Sequence, residues 1–248
     1  MAKDLFSKQA AAYSQYRPIY PHDLFQYIFS FVKNKSAAWD CATGNGQAAV
    51  VLAQYFEQVM ATDISEKQLQ HVAMAPNIHY SVGAAEKTNF PDNYFDLITV
   101  AQAYHWFNFE EFKNEVIRVS KPDAIIAVWG YSLIVCEDEA VNEFIKTFYK
   151  DITGPYWDKE RKYVDEEYST VLFPYEELPS KNFKTVLSWQ KERLIGYLNT
   201  WSSIQHFIKA NDYNPVENFA QQLQQTWPDD SRKQFYFPVF LRIGRVTE

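Results

Sequence analysis

The stretch AAWDCATGNGQAAVVLAQYFEQVMATD, residues 37 to 63, decides the fold of this chain. It holds two of the chain's 7 glycines, Gly44 and Gly46. A short apolar run containing Asp40 precedes them, an apolar run of helical character follows, and a second short run ends at Asp63. Glycine in such a turn is typical of backbone that takes a positive φ or touches a ligand. The stretch therefore predicts a strand, a ligand-binding glycine turn, a helix and a second strand.

The same alternation continues downstream. Ser65 and Asn108 are each followed three positions later by Gln68 and Glu111, which is the spacing of helix N-terminal capping. The strand-like runs lack clean alternation, as expected where both faces of a parallel sheet are buried. Pro238 predicts that the last strand is an edge strand or is bulged there. The predicted strands are residues 37–41, 58–63, 78–82, 95–101, 124–131, 182–190 and 233–244.

These elements predict a Rossmann-like α/β fold, a doubly wound and mostly parallel seven-stranded sheet with a cap or insertion toward the C-terminus. A chain of 248 residues suits one domain. We expect four parts within it: N-terminal lid helices over residues 1–36, a cofactor-binding core over 37–131, a cap insertion over 132–181, and final strands with substrate-side helices over 182–248.

The composition of the chain disfavours several kinds of binding partner. A net charge of −7 repels phosphate backbones, which disfavours nucleic acid. The two cysteines show no metal-ligand spacing and no Asp-rich cluster is evident, so no metal site is expected. No window of about 18 apolar residues is present, and the N-terminus lacks the apolar core of a signal peptide. We expect a cytoplasmic protein with a small-molecule partner, no membrane association and no obligate protein partner.

Two adenosine cofactors fit the glycine turn. Asp63 lies where a carboxylate accepts the ribose hydroxyls of an adenosine, and GNGQAA also satisfies the dinucleotide pattern. Asp40, however, would repel a pyrophosphate at the helix N-terminus and attract the ammonium group of a methionine moiety. No Tyr-x-x-x-Lys occurs among the 17 tyrosines. S-adenosylmethionine is therefore favoured, with NAD as the weaker alternative.

The chain resembles the class I methyltransferases, in particular the type-11 small-molecule group that includes trans-aconitate methyltransferases. The resemblance rests on FSKQAAAYSQYRPIYP, WDCATGNGQ, ATDISEKQL, VGAAEKTNFPDNYFDLITVAQAYHWF and EVIRVSKPDA, in that order, and covers residues 6 to 131. Ala42 replaces the first glycine of the family's motif, and Asp123-Ala124 replaces its Gly-Gly.

The resemblance implies S-adenosyl-L-methionine as cofactor and small-molecule methyl transfer as activity. It assigns the methionine moiety to Asp40 and the glycine turn, the ribose to Asp63, and the adenine to Ile64 and the backbone of Ala85 and Glu86. Tyr13 and Arg17 of the lid would close over the cofactor, Arg17 at its carboxylate. The expected cofactor-binding residues are Tyr13, Arg17, Asp40, Ala42, Gly44, Gly46, Asp63, Ile64, Ala85, Glu86 and Gln102.

The segment AYHWF, residues 103 to 107, is the candidate chemical site. Aromatic faces stabilise a sulfonium cation, and Gln102 would face the reactive end of the cofactor. His105 is a candidate general base for a hydroxyl or amine acceptor. For a carboxylate acceptor no base is needed, and His105 would then orient it. The expected acceptor-binding residues are Tyr104, His105, Trp106 and Trp201.

The resemblance slightly favours a carboxylate acceptor, for which Arg161, Lys159 and His206 are unranked binding candidates. The acceptor pocket is expected between residues 132–181 and the segment NTWSSIQHF. A catalytically silent cofactor-binding or interaction protein remains the alternative of a different class.

Overall fold

The computed structural model describes residues 16–70 and 72–247. Nine strands form one sheet in this part of the chain. They are β1 (Ala37–Cys41), β2 (Gln58–Asp63), β3 (Ile78–Val82), β4 (Phe95–Ala101), β5 (Ser120–Tyr131), β6 (Val135–Cys136), β7 (Glu176–Glu177), β8 (Phe183–Trp189) and β9 (Lys233–Arg245).

The helices alternate with the strands in the first half and cluster in the second. The described α-helices are α1 (His22–Phe29), α2 (Gln47–Leu52), α3 (Glu66–Leu69), α4 (Phe109–Val119), α5 (Glu139–Thr147), α6 (Arg161–Asp165), α7 (Lys191–Leu198), α8 (Ser202–Asn211) and α9 (Pro215–Thr226). Two 3-10 turns, Tyr104–Trp106 and Gly154–Tyr156, and a π-helical turn, Phe148–Ile152, complete the set.

The sheet confirms the predicted fold class. Its order begins β3-β2-β1-β4-β5-β9, and the pairs among the first five strands are parallel. β9 runs antiparallel to β5 and β6 along one edge and to β7 and β8 along the other. The carboxyl ends of β1, β2 and β4 therefore meet at one edge of the sheet, where ligands of open α/β sheets bind.

The predicted number of strands was wrong, because the described chain has nine strands where we expected seven. The two extra strands, β6 and β7, have two residues each. β6 continues the edge of β9 that pairs with β5, and β7 continues the edge that pairs with β8. A strand of two residues is too short to leave a periodic pattern in the sequence.

Alternate residues of the central strands enter two separate cores. Ala38, Leu97 and Ala127 pack on the side that holds α1, α2 and the C-terminal helices. Trp39 and Ile98 belong to the opposite side, which α4 covers. Both faces are apolar because each is covered by helices, which explains why the strands lack polar alternation.

The last strand is not an edge strand, contrary to the expectation from Pro238. Pro238 pairs with Lys184 of β8, and its carbonyl accepts a hydrogen bond from the Ser132 amide at 3.0 Å. Its ring nitrogen faces that same side of β9, where β5 has already ended at Tyr131. The proline therefore removes no ladder hydrogen bond.

The helix caps that the sequence predicts at Ser65 and Asn108 are present in the structure. The Ser65 side chain accepts a hydrogen bond from the Gln68 amide at the start of α3, and Asn108 does the same for the Glu111 amide at the start of α4.

Residues 132–181 contain β6, α5, the π-helical turn, α6 and β7, so both ends of this segment join the sheet. Of the helices described, none is long and apolar enough to cross a membrane.

Candidate functional site

A cavity that is partly open to solvent lies at the carboxyl ends of the parallel strands. Its wall is formed mainly by the segments that follow β1, β2, β3 and β4, which is where ligands of open α/β sheets bind. The predicted residues that it brings together are Ala42, Gly44, Asp63, Ile64, Ala85, Glu86, Gln102 and Trp106. We refer to it as the cofactor cavity.

The two glycines of the turn serve different needs. Gly44 has φ +58°, and a Cβ there would meet no described atom within 4 Å. Gly46 has φ +83°, and a Cβ there would lie 2.6 Å from the hydroxyl of Tyr80. Gly44 thus leaves open space on the cavity wall, whereas Gly46 does not line the cavity and is required by its backbone conformation and by packing.

Ala42 occupies a conformation that normally requires glycine. Its φ is +56°, in the left-handed region that costs a residue with a Cβ about 1–2 kcal/mol. This is the position at which the resembling family carries glycine. The turn therefore keeps the family's backbone path in spite of the substitution.

Asp63 connects the turns that follow β1 and β2. Its Oδ2 accepts the Gly44 amide at 2.8 Å, and its Oδ1 accepts the Ser65 amide at 2.8 Å. Each carboxylate oxygen has a second lone pair. Asp63 lines the cofactor cavity, so its carboxylate lies where the sequence places the ribose.

Asp40 lies beneath the glycine turn and is 1% exposed. The hydroxyls of Thr43 and Thr99 donate to its two oxygens. Burial raises the pKa of Asp40 from 3.8 to about 6, with hydrogen bonds from Thr43 and Thr99 acting in the opposite direction. Asp40 is not on the cavity wall, so the direct contact expected with the methionine ammonium stays a prediction.

The far end of the cavity has the character of an adenine site. Ile64 is apolar, 43% exposed and lines the cavity together with Ala85 and Glu86. Gln47 and Gln68, two lining residues that the sequence did not indicate, have buried Oε1 atoms with no hydrogen-bond partner in the described chain. Buried amide oxygens without a donor are costly, and a ligand rich in N–H and O–H groups would satisfy them.

Gln102 follows β4 and also has a positive φ, +57°. Its amide donates to the Trp129 carbonyl at 2.8 Å, and its Oε1 accepts the Tyr131 amide at 2.7 Å. These bonds fix the side chain against the end of β5. Gln102 lines both the cofactor cavity and a second, neighbouring cavity.

The second cavity, which we call the acceptor cavity, is smaller than the first and is also partly open to solvent. It shares Gln102 and Trp106 with the cofactor cavity, so those two side chains form the wall between them. Its other lining residues are Arg17, His105, Trp157, Asp158, Arg161 and Ser202.

His105 is buried in this wall, and its Nδ1 lies 2.8 Å from the hydroxyl of Tyr168. Burial, together with the nearby Arg161 charge, lowers the pKa of His105 to about 3. The imidazole is therefore neutral at physiological pH. A histidine whose protonated form is this unfavourable is a weak base and a suitable neutral hydrogen-bonding group.

Two arginines give the acceptor cavity positive charge. Arg161 donates through Nε to the Tyr149 hydroxyl at 2.9 Å and to Asp165 at 3.0 Å, and its guanidinium carbon lies 4.7 Å from the Trp157 ring centre. Arg17 donates to the Tyr131 hydroxyl at 2.5 Å and to the Thr200 carbonyl at 3.0 Å. The expected contact between Arg17 and a cofactor carboxylate stays a prediction.

Two residues that were predicted to bind the acceptor, Tyr104 and Trp201, do not line the acceptor cavity. Tyr104 is 1% exposed, donates to the Leu172 carbonyl at 2.6 Å and packs on Phe112 in the core. Trp201 is 2% exposed among aromatic rings that include Tyr197 and Trp157. Tyr13 lies outside the described residues. The segment 103–107 forms a 3-10 turn, in which successive side chains point in different directions.

Several lining residues were not named individually from the sequence. Trp157, Asp158 and Ser202 carry no motif, although they lie in residues 132–181 and in NTWSSIQHF, between which the acceptor pocket was expected. Lys159, an unranked candidate for the acceptor carboxylate, is exposed, and His206 lies 3.9 Å from Asp158. Across residues 16–70 and 72–247, no three His, Cys, Asp or Glu side chains are grouped as a metal site would require.

Comparisons with known proteins agree with this geometry. Residues 39–128 match the model of a methyltransferase domain. A methyltransferase of Dictyostelium discoideum is 32% identical over 98% of this chain and 95% of its own length. CRG1 of Saccharomyces cerevisiae, described as an S-adenosylmethionine-dependent methyltransferase, is 27% identical over 62% of this chain and 57% of its own length.

A solved structure of a type II methyltransferase from Anaeromyxobacter dehalogenans superposes with a TM-score of 0.85 at 32% identity, covering 93% of this chain and 98% of that one. The match spans the glycine turn, the sheet and the later helices alike. The chain belongs to the class I S-adenosylmethionine-dependent methyltransferases.

Proposed function

We propose that the protein transfers a methyl group to the carboxylate of a small organic acid and forms a methyl ester. The observation that carries this proposal is the position of Arg161 in a cavity that shares the lining residues Gln102 and Trp106 with the cofactor cavity. Arginine is the side chain best suited to hold a carboxylate. A methyl group has to pass from one cavity to the other, so the two must adjoin.

The residues of the cofactor cavity fit S-adenosylmethionine. The open space at Gly44 admits the methionine moiety, Asp63 offers lone pairs to the ribose, and Ile64 offers an apolar surface to the adenine. When bound, the cofactor supplies a methyl group on a sulfonium, which is electrophilic without further activation. The chain's task is then to position the acceptor and to exclude water.

The neutral His105 supports a carboxylate acceptor over a hydroxyl or an amine. A carboxylic acid is ionised at neutral pH and needs no base, whereas an alcohol or an ammonium group has to lose a proton. A side chain with a pKa of about 3 is a poor proton acceptor for that task. His105 would instead orient the acceptor by a hydrogen bond from its second ring nitrogen, because Nδ1 is already bonded to Tyr168.

The lining of the acceptor cavity and the net charge of the chain support a small molecule as the acceptor. Side chains from separate segments line the cavity, and the net charge of −7 on the whole chain disfavours nucleic acid. The oxidoreductase alternative has no support once the family is known. A catalytically silent protein would bind the cofactor and release no S-adenosylhomocysteine with any acceptor.

The proposal is tested by replacing Arg161 and comparing it with a neighbour of the same charge. Arg161→Gln should raise the KM for a turned-over acid by about tenfold or more, because it removes a charge-assisted hydrogen bond. Lys159→Gln removes one positive charge from an exposed position in the same segment and should leave that KM within about twofold. Equal KM values for the two variants would contradict the proposal.

A further inference from the structure

Asp158 is the one acidic side chain that lines the acceptor cavity within the described chain. Its side chain is 11% exposed, and its Oδ2 is buried without a hydrogen-bond partner among the described residues. A buried carboxylate oxygen without a donor is unfavourable. Such a group in a ligand cavity calls for a specific explanation.

Helix capping does not explain Asp158. The Arg161 amide, the first of α6, donates to the Asp158 backbone carbonyl at 2.9 Å, which is the position where an aspartate commonly caps a helix through its side chain. The N-cap residue of α6 is Glu160, however, and it forms no side-chain cap. The buried Oδ2 of Asp158 has no hydrogen-bond partner among the described residues, so this oxygen does not cap the helix.

Neutralisation by the nearby cations does not explain it either. Arg161 forms its ion pair with Asp165 at 3.0 Å, and Arg17 donates to Tyr131 and Thr200. His206 is the nearest cation candidate, with Nδ1 3.9 Å from Asp158 Oδ2, and that nitrogen already lies 2.9 Å from the Tyr156 carbonyl. The lining of the acceptor cavity thus combines two arginines with a carboxylate whose Oδ2 has no hydrogen-bond donor among the described residues.

We infer that Asp158 accepts a hydrogen bond from a hydroxyl or ammonium group of the methyl acceptor, which makes the acceptor a small hydroxy- or amino-carboxylic acid. This inference rests on the proposed function, because it takes the carboxylate of the acceptor to lie at Arg161. A carboxylic acid that has no hydroxyl or ammonium group would leave Oδ2 of Asp158 buried and without a hydrogen-bond donor beside the bound ligand. Trp106 and Trp157, which line the same cavity, provide aromatic surfaces for the organic body of the acceptor.

The test compares matched acids that differ only in the donor group. The probes are 3-phenylpropanoate, its 2-hydroxy and 3-hydroxy derivatives and its 2-amino derivative, with kcat/KM as the measurement and calorimetric affinity for the S-adenosylhomocysteine-loaded protein as the second readout. The wild type should prefer at least one donor-bearing acid by roughly ten- to hundredfold, since a hydrogen bond to a charged group has that weight. Asp158→Ala should reduce this ratio to about one.

Two further variants make the result specific. Asp158→Asn keeps an acceptor oxygen and loses the charge, so it should retain part of a hydroxyl preference and lose an ammonium preference. Asp151→Asn removes a charge from an exposed position nearby and should leave the ratios unchanged. Unaltered affinity for S-adenosylhomocysteine shows that each variant is folded.

Three results would overturn the inference. The first is conversion of the unsubstituted acid by the wild type as efficiently as of its hydroxy and amino derivatives, which leaves the proposed function standing alone. The second is retention of the wild-type preference by the Asp158 variants, which places the origin of that preference elsewhere. If no carboxylic acid is methylated in the presence of S-adenosylmethionine, both the inference and the proposed function fail.

Discussion

The Gly44 amide donates a 2.8 Å hydrogen bond to Oδ2 of Asp63, and this bond joins the turn after β1 to the end of β2. Gly44 and Asp63 are therefore parts of one unit. We expect a change at Asp63 to act on the cofactor cavity in two ways, through the proposed ribose contact and through the position of the glycine turn.

Asp63→Ala should weaken the binding of S-adenosylhomocysteine by about 1–3 kcal/mol, because ribose hydroxyls lose an acceptor and the Gly44 amide loses its partner. Isothermal titration calorimetry measures the difference. Asp23→Ala, which removes an exposed acid from α1, is the matched control and should bind as the wild type does. Unchanged affinity of the Asp63 variant would refute its role.

The pH dependence of turnover should report no ionisation of His105. Because burial holds its pKa at about 3, the imidazole stays neutral from about pH 6 to about pH 9. With a carboxylic acid acceptor, kcat should be level over that range, and His105→Ala should lower kcat more than it lowers cofactor affinity. An inflection near neutral pH that disappears in the His105→Ala variant would show instead that His105 acts as a base.

Asp40 should make the protein less stable as pH rises through its own titration. The folded state holds the Asp40 proton up to a pKa of about 6, whereas the unfolded chain releases it near 3.8. Between these values the folded state binds more protons, so the free energy of unfolding falls with increasing pH, and the loss is complete at pH 7. Asp40→Asn should then be more stable than the wild type by about 1–3 kcal/mol at pH 7 and lack this slope.

Urea unfolding of both proteins at several pH values measures this difference, and His105→Asn separates the opposing contribution of His105. A histidine with a lowered pKa destabilises the fold as pH falls below the value of the unfolded chain. Equal stability of Asp40→Asn and the wild type from about pH 4 to about pH 7 would contradict the account of Asp40.

Ala42 and Gly44 form a matched pair for backbone strain, with φ angles of +56° and +58°. Ala42→Gly should relieve the left-handed strain and stabilise the fold by up to about 1 kcal/mol after the larger entropy loss of glycine is counted. Gly44→Ala should destabilise it by about 1 kcal/mol, since a Cβ there meets open space and only strain is added. Shifts of the same sign in urea midpoints would exclude this explanation.

The sequence was sufficient for the core of the fold. The parallel strands are runs of apolar residues buried on both faces, and glycine, Asp63 and the capping residues Ser65 and Asn108 mark the turns between them. Those signals depend on residues that are close together in the sequence, so they can be recognised in one sequence. The short strands β6 and β7 depend on pairing with β9 over a large sequence distance, and two residues contain no period.

The acceptor side was less predictable for a physical reason. In the 3-10 turn Tyr104–Trp106, neighbouring side chains point in different directions. Tyr104 therefore enters the core, whereas His105 and Trp106 line the acceptor cavity. Trp157 and Asp158 reach that cavity from a distant segment, and only tertiary packing brings them to it. Asp40 is buried in β1, where Thr43 and Thr99 donate to its carboxylate, and its contact with the methionine ammonium stays a prediction.

The most direct test is a product assay with S-adenosylmethionine labelled in its methyl group. The protein is incubated with the labelled cofactor and small hydroxy-, amino- and unsubstituted carboxylic acids, and the products are analysed by mass spectrometry before and after mild alkali. We predict a labelled methyl ester that alkali converts back to the acid. A labelled product that resists alkali, or the absence of labelled product from every acid, would contradict the account.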